Sequence, residues 1–332
     1  MKITKTLQVI DYHAAGEPMR IYPTVIRVPG ETMMDKYDYA CQHLDGLRRF
    51  MAHEPRGHSA IMGCILTEPV NEGSLFGVLF FDTTIFNAAC GHGSIVLATA
   101  AVEQGWITPV EGENSILFDI PLGQIEMKTY VEDGEVVKAI YRGVPSFVHE
   151  QDVTVETSVG PVKLDIAFGG VFFAIIDTAQ FGPEPPDRAV FLQLYAEIKS
   201  KLDATGTVVL ADQPSIRDID GVHFITMKDR PGFKLAWRAD SIFSGGTLDR
   251  SPCGTGTCAT LANFYNKGVI GPDEPIFAES APGEHFQSKI VAIDDSAGRT
   301  TVTSDIWARG YLTGYNNLVA TDGDPLAGGF VV

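Results

Sequence analysis

Short apolar and β-branched runs, separated by Gly, Pro, Asp and Asn, fill most of the 332-residue chain. This is the pattern of strands joined by turns. SLFGVLFFDT, NSILFDIP, TGTVVLAD and GRTTVTSDIWARGYL are of this kind. Within QIEMKTYVEDGEVVKAIYRG, Asp133-Gly134 lies between two such runs and predicts a tight hairpin. Helices are expected only near residues 36–52, 94–104, 188–203 and 255–267. The proline-bearing FGPEPPDR at 181–188 reads as a loop leading into the third. IAFGGVFFAII, from Ile166 to Ile176, is the most apolar stretch; it carries two glycines and is far too short to span a membrane. It predicts a buried strand.

One unit is repeated. CGHGSIVLATAAVEQGWI from Cys90 aligns without gaps on CGTGTCATLANFYNKGVI from Cys253, with Cys, Gly, Gly, Gly and Ile coincident. Ser94 falls on Thr257, and Ile95, Ala98 and Val102 fall on Cys258, Leu261 and Tyr265 at helical spacing. Gly105 and Gly268 stand where a helix C-terminus favours positive φ. The first helix is apolar almost all round, so it is expected to be buried. Strands packed around a central helix, twice, is the architecture this suggests.

Length agrees, since 332 residues suggest two domains. With 45% hydrophobic and 20% charged residues the chain can bury sizeable cores. Twenty-five Lys and Arg against 42 Asp and Glu leave a net charge of −17. That balance, with no basic run, argues against nucleic-acid and anionic-membrane partners. Asp11 interrupts the N-terminal run before an apolar core of signal-peptide length can form. Five cysteines without a CxxC pair are neither a disulfide framework nor a zinc module, and fit free thiols in the cytoplasm.

A cysteine followed by Gly-x-Gly at a helix start has a definite chemistry. Free backbone amides and the positive end of the helix dipole meet there, and glycines admit a ligand. Such a site is expected to lower a thiol pKa and to hold a carboxylate. Two of them, one on each side of a bound carboxylate ligand, suit inversion at the adjacent carbon: one thiolate removes the α-proton and the opposite thiol returns one. Other readings fit less well. Gly254 to Ala259 matches GxGxxA, but SGGTLDRSPC before it is not a strand, as dinucleotide binding requires. No Arg stands at the sixth offset, as a phosphatase-type cysteine needs, and Cys-x-His lacks metal-module spacing. Two small-residue helix starts with incidental cysteines remain the structural alternative. Cys258, Cys64 and Cys41 read as core residues.

These residues, with DYHAAGEPMRI, EPRGH at 54–58, FGGVFFAIID at 168–177 and DRSPCGTGTCA around Cys253, make the chain resemble the proline racemase family. Members include proline racemases, hydroxyproline 2-epimerases and trans-3-hydroxyproline dehydratases. The resemblance implies an α/β (α+β) fold like that of diaminopimelate epimerase, with two pseudo-symmetric domains, each a mainly antiparallel barrel-like sheet around a central helix. Domains are then expected at residues 1–153, completed by a strand at about 312–332, and at 154–311. It implies catalytic thiols at Cys90 and Cys253. Substrate-carboxylate contacts fall at Gly91, His92, Gly254 and Thr255, and ring-nitrogen contacts at His92 and Asp249. No cofactor or metal is implied; a homodimer is suggested. Both thiols are present, which favours inversion over dehydration. 4-Hydroxyproline 2-epimerase is the leading expectation, then proline racemase, then a trans-3-hydroxyproline epimerase or dehydratase. A non-catalytic thiol protein of the same fold is the contrasting class. His223 and the neighbouring KDRP segment, in the half that carries Cys253, are candidate readers of a ring hydroxyl, although a lone His before an apolar run is more often structural. HAAGEP in place of HTGGEP, Ala88-Ala89 before the first thiol, and Phe81 to Thr84 depart from the family pattern and leave the substrate open.

Overall fold

A computed structural model describes residues 2–296 and 298–331. Two compact units emerge: residues up to Tyr141 with those from Trp307 onward, and Arg142–Ile306. Each is a sheet around one helix.

In the first unit Gly310–Thr321 pairs antiparallel with Ile3–Ala14, which pairs antiparallel with Glu17–Ile26. Two helices, α1 (Met33–His43) and α2 (Asp45–Ala52), lead to Met62–Thr67, parallel to Glu17–Ile26. Ser74–Phe81 pairs antiparallel with Met62–Thr67. Helix α3 (Gly91–Glu103) then leads to Gly112–Ile120, parallel to Ser74–Phe81 and antiparallel to Gly123–Glu132. Asp133 and Gly134 both have positive φ (51° and 80°), as the expected hairpin demands.

The second unit repeats this order and these senses. Phe147–Thr157, Gly160–Phe168 and Phe172–Asp177 are antiparallel neighbours. Helix α4 (Arg188–Asp203), capped by the Asp187 carboxylate on the Val190 amide, leads to Gly221–Lys228, parallel to Phe172–Asp177. Leu235–Phe243 follows antiparallel. Helix α5 (Gly254–Asn266) leads to Ile276–Glu279, parallel to Leu235–Phe243 and antiparallel to His285–Asp294. The internal repeat of the sequence is thus a repeat of topology.

Every residue of α3 from Gly91 to Val102 is buried, as its apolar circumference predicts. Helix α5 is buried from Gly254 to Asn263, packing Leu261 and Ala262 into a core with Phe173 and Trp237. Gly105 and Gly268 end the two helices, each at φ 68°.

Three local expectations need correction. Residues 36–52 are two helices, broken at Leu44, because Asp45 starts a new turn and holds Arg48 and Arg49. TGTVVLAD is no strand; Val209 makes only an isolated bridge to Arg217, while Val208 and Leu210 are buried from a turn-rich segment. Cys41 is exposed on α1, since that helix buries Met33, Lys36 and Ala40 instead. No helix among the described residues is long and apolar enough to cross a membrane.

Candidate active site

Each unit places one cysteine at the N-cap of its central helix. In the first, the short strand Phe86–Asn87 delivers the chain to Cys90, whose extended backbone (φ −153°, ψ 107°) starts α3. The Cys90 carbonyl accepts from the Ser94 amide at 3.0 Å and the Ser94 hydroxyl at 2.8 Å. Its Sγ lies 3.4 Å from His92 Nδ1. Asp82 accepts from the Thr84 and Ile85 amides and forms the turn before this strand, so the unusual Phe81 to Thr84 segment is a local Asx turn.

Gly93 allows this packing. A Cβ there would stand 2.8 Å from the Phe80 ring and 3.0 Å from Cys90 Sγ. His92 is buried, and its Nε2 has no hydrogen-bond partner. Burial pushes its pKa down to about 4, against a smaller opposing pull from the Pro18 backbone. The ring is therefore neutral near pH 7.

In the second unit a chain of short-range hydrogen bonds shapes the approach to α5. Asp249 accepts from the Ser251 amide at 2.7 Å, and the Ser251 hydroxyl accepts from the Cys253 amide at 3.1 Å. Cys253 then sits at φ 64°, a left-handed conformation that costs a non-glycine residue about 1–3 kcal/mol. That backbone turns Sγ onto the helix start, where it accepts from the Gly256 amide at 3.2 Å and lies 3.7 Å from the Thr255 hydroxyl.

The thiol expectation is only half met. The first-turn amide does favour the Cys253 thiolate, as do the Thr255 and Ser241 hydroxyls. Burial, first, and the Asp249 charge, second, outweigh them and push this thiol well above its ordinary value. Cys253 is protonated at neutral pH. Cys258 is core: fully buried, pushed up to about 12 by burial, with Gly143 packed against its Sγ. Cys64 is likewise buried and pushed well up.

Neither α3 nor α5 has an acidic residue in its first turn. No carboxylate of either helix's own first turn therefore faces its positive end. Among the described residues, no group of three or more His, Cys, Asp or Glu is arranged to hold a metal.

Two residues near Cys253 carry more than the sequence disclosed. His223 is buried against Gly256, where a Cβ would meet its Nδ1 at 2.9 Å; Nδ1 bonds Ser241 Oγ at 2.6 Å. Its Nε2 has no hydrogen-bond partner, and burial pushes the ring down to about 3. The first unit has Phe80 and Met19 against the matching glycine, so the copies differ here. No sequence signal marks Ser241; it faces His223 only through the register of two strands.

A family model described as proline racemase matches residues 9–331. The chain is 36% identical over 338 residues to a proline racemase of Acetoanaerobium sticklandii. It is 33% identical over 339 residues to a 3-hydroxyproline 2-epimerase of Burkholderia multivorans; in both matches 100% of each chain is covered. A solved hydroxyproline epimerase from Agrobacterium vitis, with bound trans-4-hydroxy-L-proline, matches with a TM-score of 0.91 at 29% identity, covering 100% of this chain and 96% of that one. Fold and relatives together define an isomerase of the racemase and epimerase class. The chain belongs to the proline racemase family.

Proposed function

We propose that this protein inverts the α-carbon of 4-hydroxyproline without a cofactor, using Cys90 and Cys253 as paired acid and base. The observation that carries the reading is the duplicated helix start: a buried N-cap cysteine, glycine at the third following position, and no acid in the first turn. The amides of Gly91, His92, Gly254 and Thr255 hold the substrate carboxylate and stabilise charge growing on it as the α-proton leaves. One thiolate takes that proton and becomes a thiol; the other thiol gives its proton to the opposite face and becomes a thiolate.

The raised Cys253 pKa fits this cycle. The substrate arrives as a zwitterion whose ring nitrogen is cationic, and His92 and Asp249 receive it. Pairing with Asp249 offsets the negative charge that disfavours the Cys253 thiolate, so binding itself eases ionisation. Both thiols favour inversion over dehydration, which needs one base.

His223 is the reason to prefer a hydroxyproline over proline. Its unpartnered, buried Nε2 suits a ring hydroxyl, and a site built to bond a hydroxyl discriminates strongly against the analogue lacking it. The test is the α-proton signal in D₂O, under reducing conditions, with L-proline, 4-hydroxy-L-proline and 3-hydroxy-L-proline offered separately. Exchange with inversion, fastest for 4-hydroxyproline, is expected. His223→Ala should lower kcat/KM for 4-hydroxyproline by about tenfold or more, and for proline by less than about threefold. Loss of water would mark a dehydratase; equal loss on both substrates in the variant would remove His223 from specificity; exchange in none would end the proline-type reading.

A further inference from the structure

The KDRP segment, residues 228–231, is not taken up by the site around Cys253. From His223 to Lys228 the strand Gly221–Lys228 rises about 16 Å, too far for both side chains to meet one ring hydroxyl. The chain then turns through residues 229–234 into the antiparallel Leu235–Phe243. Hydrogen bonds fix this turn. The Phe233 amide donates to the Arg230 carbonyl at 3.3 Å, and the Lys234 amide to the Pro275 carbonyl at 2.8 Å, with Gly232 at φ 88°. Beside the turn lies a cavity of about 520 Å³, lined by residues 227–231 and 233–236.

Lys228, Arg230 and Lys234 meet at this cavity with one lining acid, Asp229, in a chain where acids outnumber cations 42 to 25. The Arg230 guanidinium lies 4.0 Å from the centre of the Phe277 ring. That ring is buried, stacks on His285 at 4.5 Å and packs against Phe233 at 5.2 Å, so it is a rigid platform. Among the described residues, neither Arg230 nor Lys228 has a hydrogen bond or an ion pair. Lys234 has only Glu274, at 3.7 Å, and that carboxylate also accepts from the Gly271 amide at 2.6 Å. A guanidinium held by its face keeps its rim of N–H donors free, and that rim matches two oxygens of a phosphate.

We propose that this turn is a second ligand site, apart from the thiols, for a small phosphate monoester. Arg230 pairs with two phosphate oxygens, while Lys228 and Lys234 neutralise the remaining charge. Met227, Phe233 and Leu235 form an apolar wall for the organic part, and the cavity has the size of a small-molecule site. Three cations exceed what one carboxylate needs, and a bare ion would leave the apolar wall unused.

Phenyl phosphate is the probe, with inorganic phosphate and phenylacetate as comparisons, followed on the full chain by titration calorimetry and amide NMR shifts. One equivalent of phenyl phosphate should bind, more tightly than either comparison, and shift the amides of residues 228–236. Arg230→Met, which keeps a stem on Phe277, should weaken binding about tenfold or more, and Arg230→Lys should recover only part of that. Lys228→Met, at an exposed side chain, carries the same test if the Arg230 variants fail to fold. Absence of saturable binding, shifts confined to the amides at Gly91 and Gly254, equal affinity for either comparison, or a folded variant that binds like the wild type would each overturn the proposal. Binding rather than inversion is read, so failure here leaves the thiol reading untouched.

Discussion

His92 and His223 are neutral imidazoles in dry surroundings, and that has a thermodynamic consequence. Burial holds them at about 4 and about 3, below their ordinary 6.5. Between those limits the unfolded chain takes up protons that the folded chain refuses, so stability falls as pH drops through about 6.5. From pH 6.5 to 5, urea unfolding should take up as many as two protons at these rings, each worth about 1.4 kcal/mol per pH unit. His223→Gln should remove about half of that dependence. A wild-type midpoint flat over this window, or a variant with the full slope, would contradict the account. Cys253 works with the opposite sign: its raised pKa contributes stability at neutral pH that fades as the solution becomes alkaline. Cysteine roles are unevenly legible in the sequence. All three of Cys258, Cys64 and Cys41 read as core; the first two are buried, whereas Cys41 lies within α1 on the face that helix turns to solvent. The His223–Ser241 pair depends on strand register, which no local spacing encodes.

At the scale of elements, the helix starts are the most legible parts of the chain. Cys-Gly-x-Gly says where a helix begins and that something packs too closely there for a side chain. The structure supplies the reason: Gly93 faces Phe80 and Cys90 Sγ, and Gly256 faces Cys253 Sγ and His223 Nδ1. Gly256→Ala would put a Cβ 2.9 Å from that sulfur, and Gly93→Ala one at 3.0 Å from the other. Each should lower inversion at least tenfold by displacing its thiol, with the fold kept. An unaltered rate in both, by polarimetry, would mean the thiol positions are irrelevant. TGTVVLAD shows the limit of local pattern. Its β-branched run has strand propensity, yet its burial comes from packing as a turn-rich segment after α4, and tertiary context decides.

For the whole molecule, repetition is written in the residues themselves. The eighteen-residue alignment of the two helix regions suggests strands packed around a central helix, twice, and the strand pairings of the two units repeat one another in order and sense. Alignment does not show where the copies diverge. His92 stands opposite Thr255, and His223 lies where the first unit has Phe80 and Met19. Those asymmetries suit the asymmetric ligand proposed above. The net charge of −17 is no barrier to the proposed zwitterionic substrate, whose global repulsion is small and whose carboxylate the proposed site would meet with local amides. The central claim is that two thiols, one from each unit, act on one carbon. Its most direct measurement is the rate of α-carbon inversion of 4-hydroxy-L-proline by Cys90→Ala, Cys253→Ala and Cys258→Ala beside the wild type. The account predicts that inversion is abolished in the first two and largely kept in the third; inversion surviving in either Cys90→Ala or Cys253→Ala would contradict it.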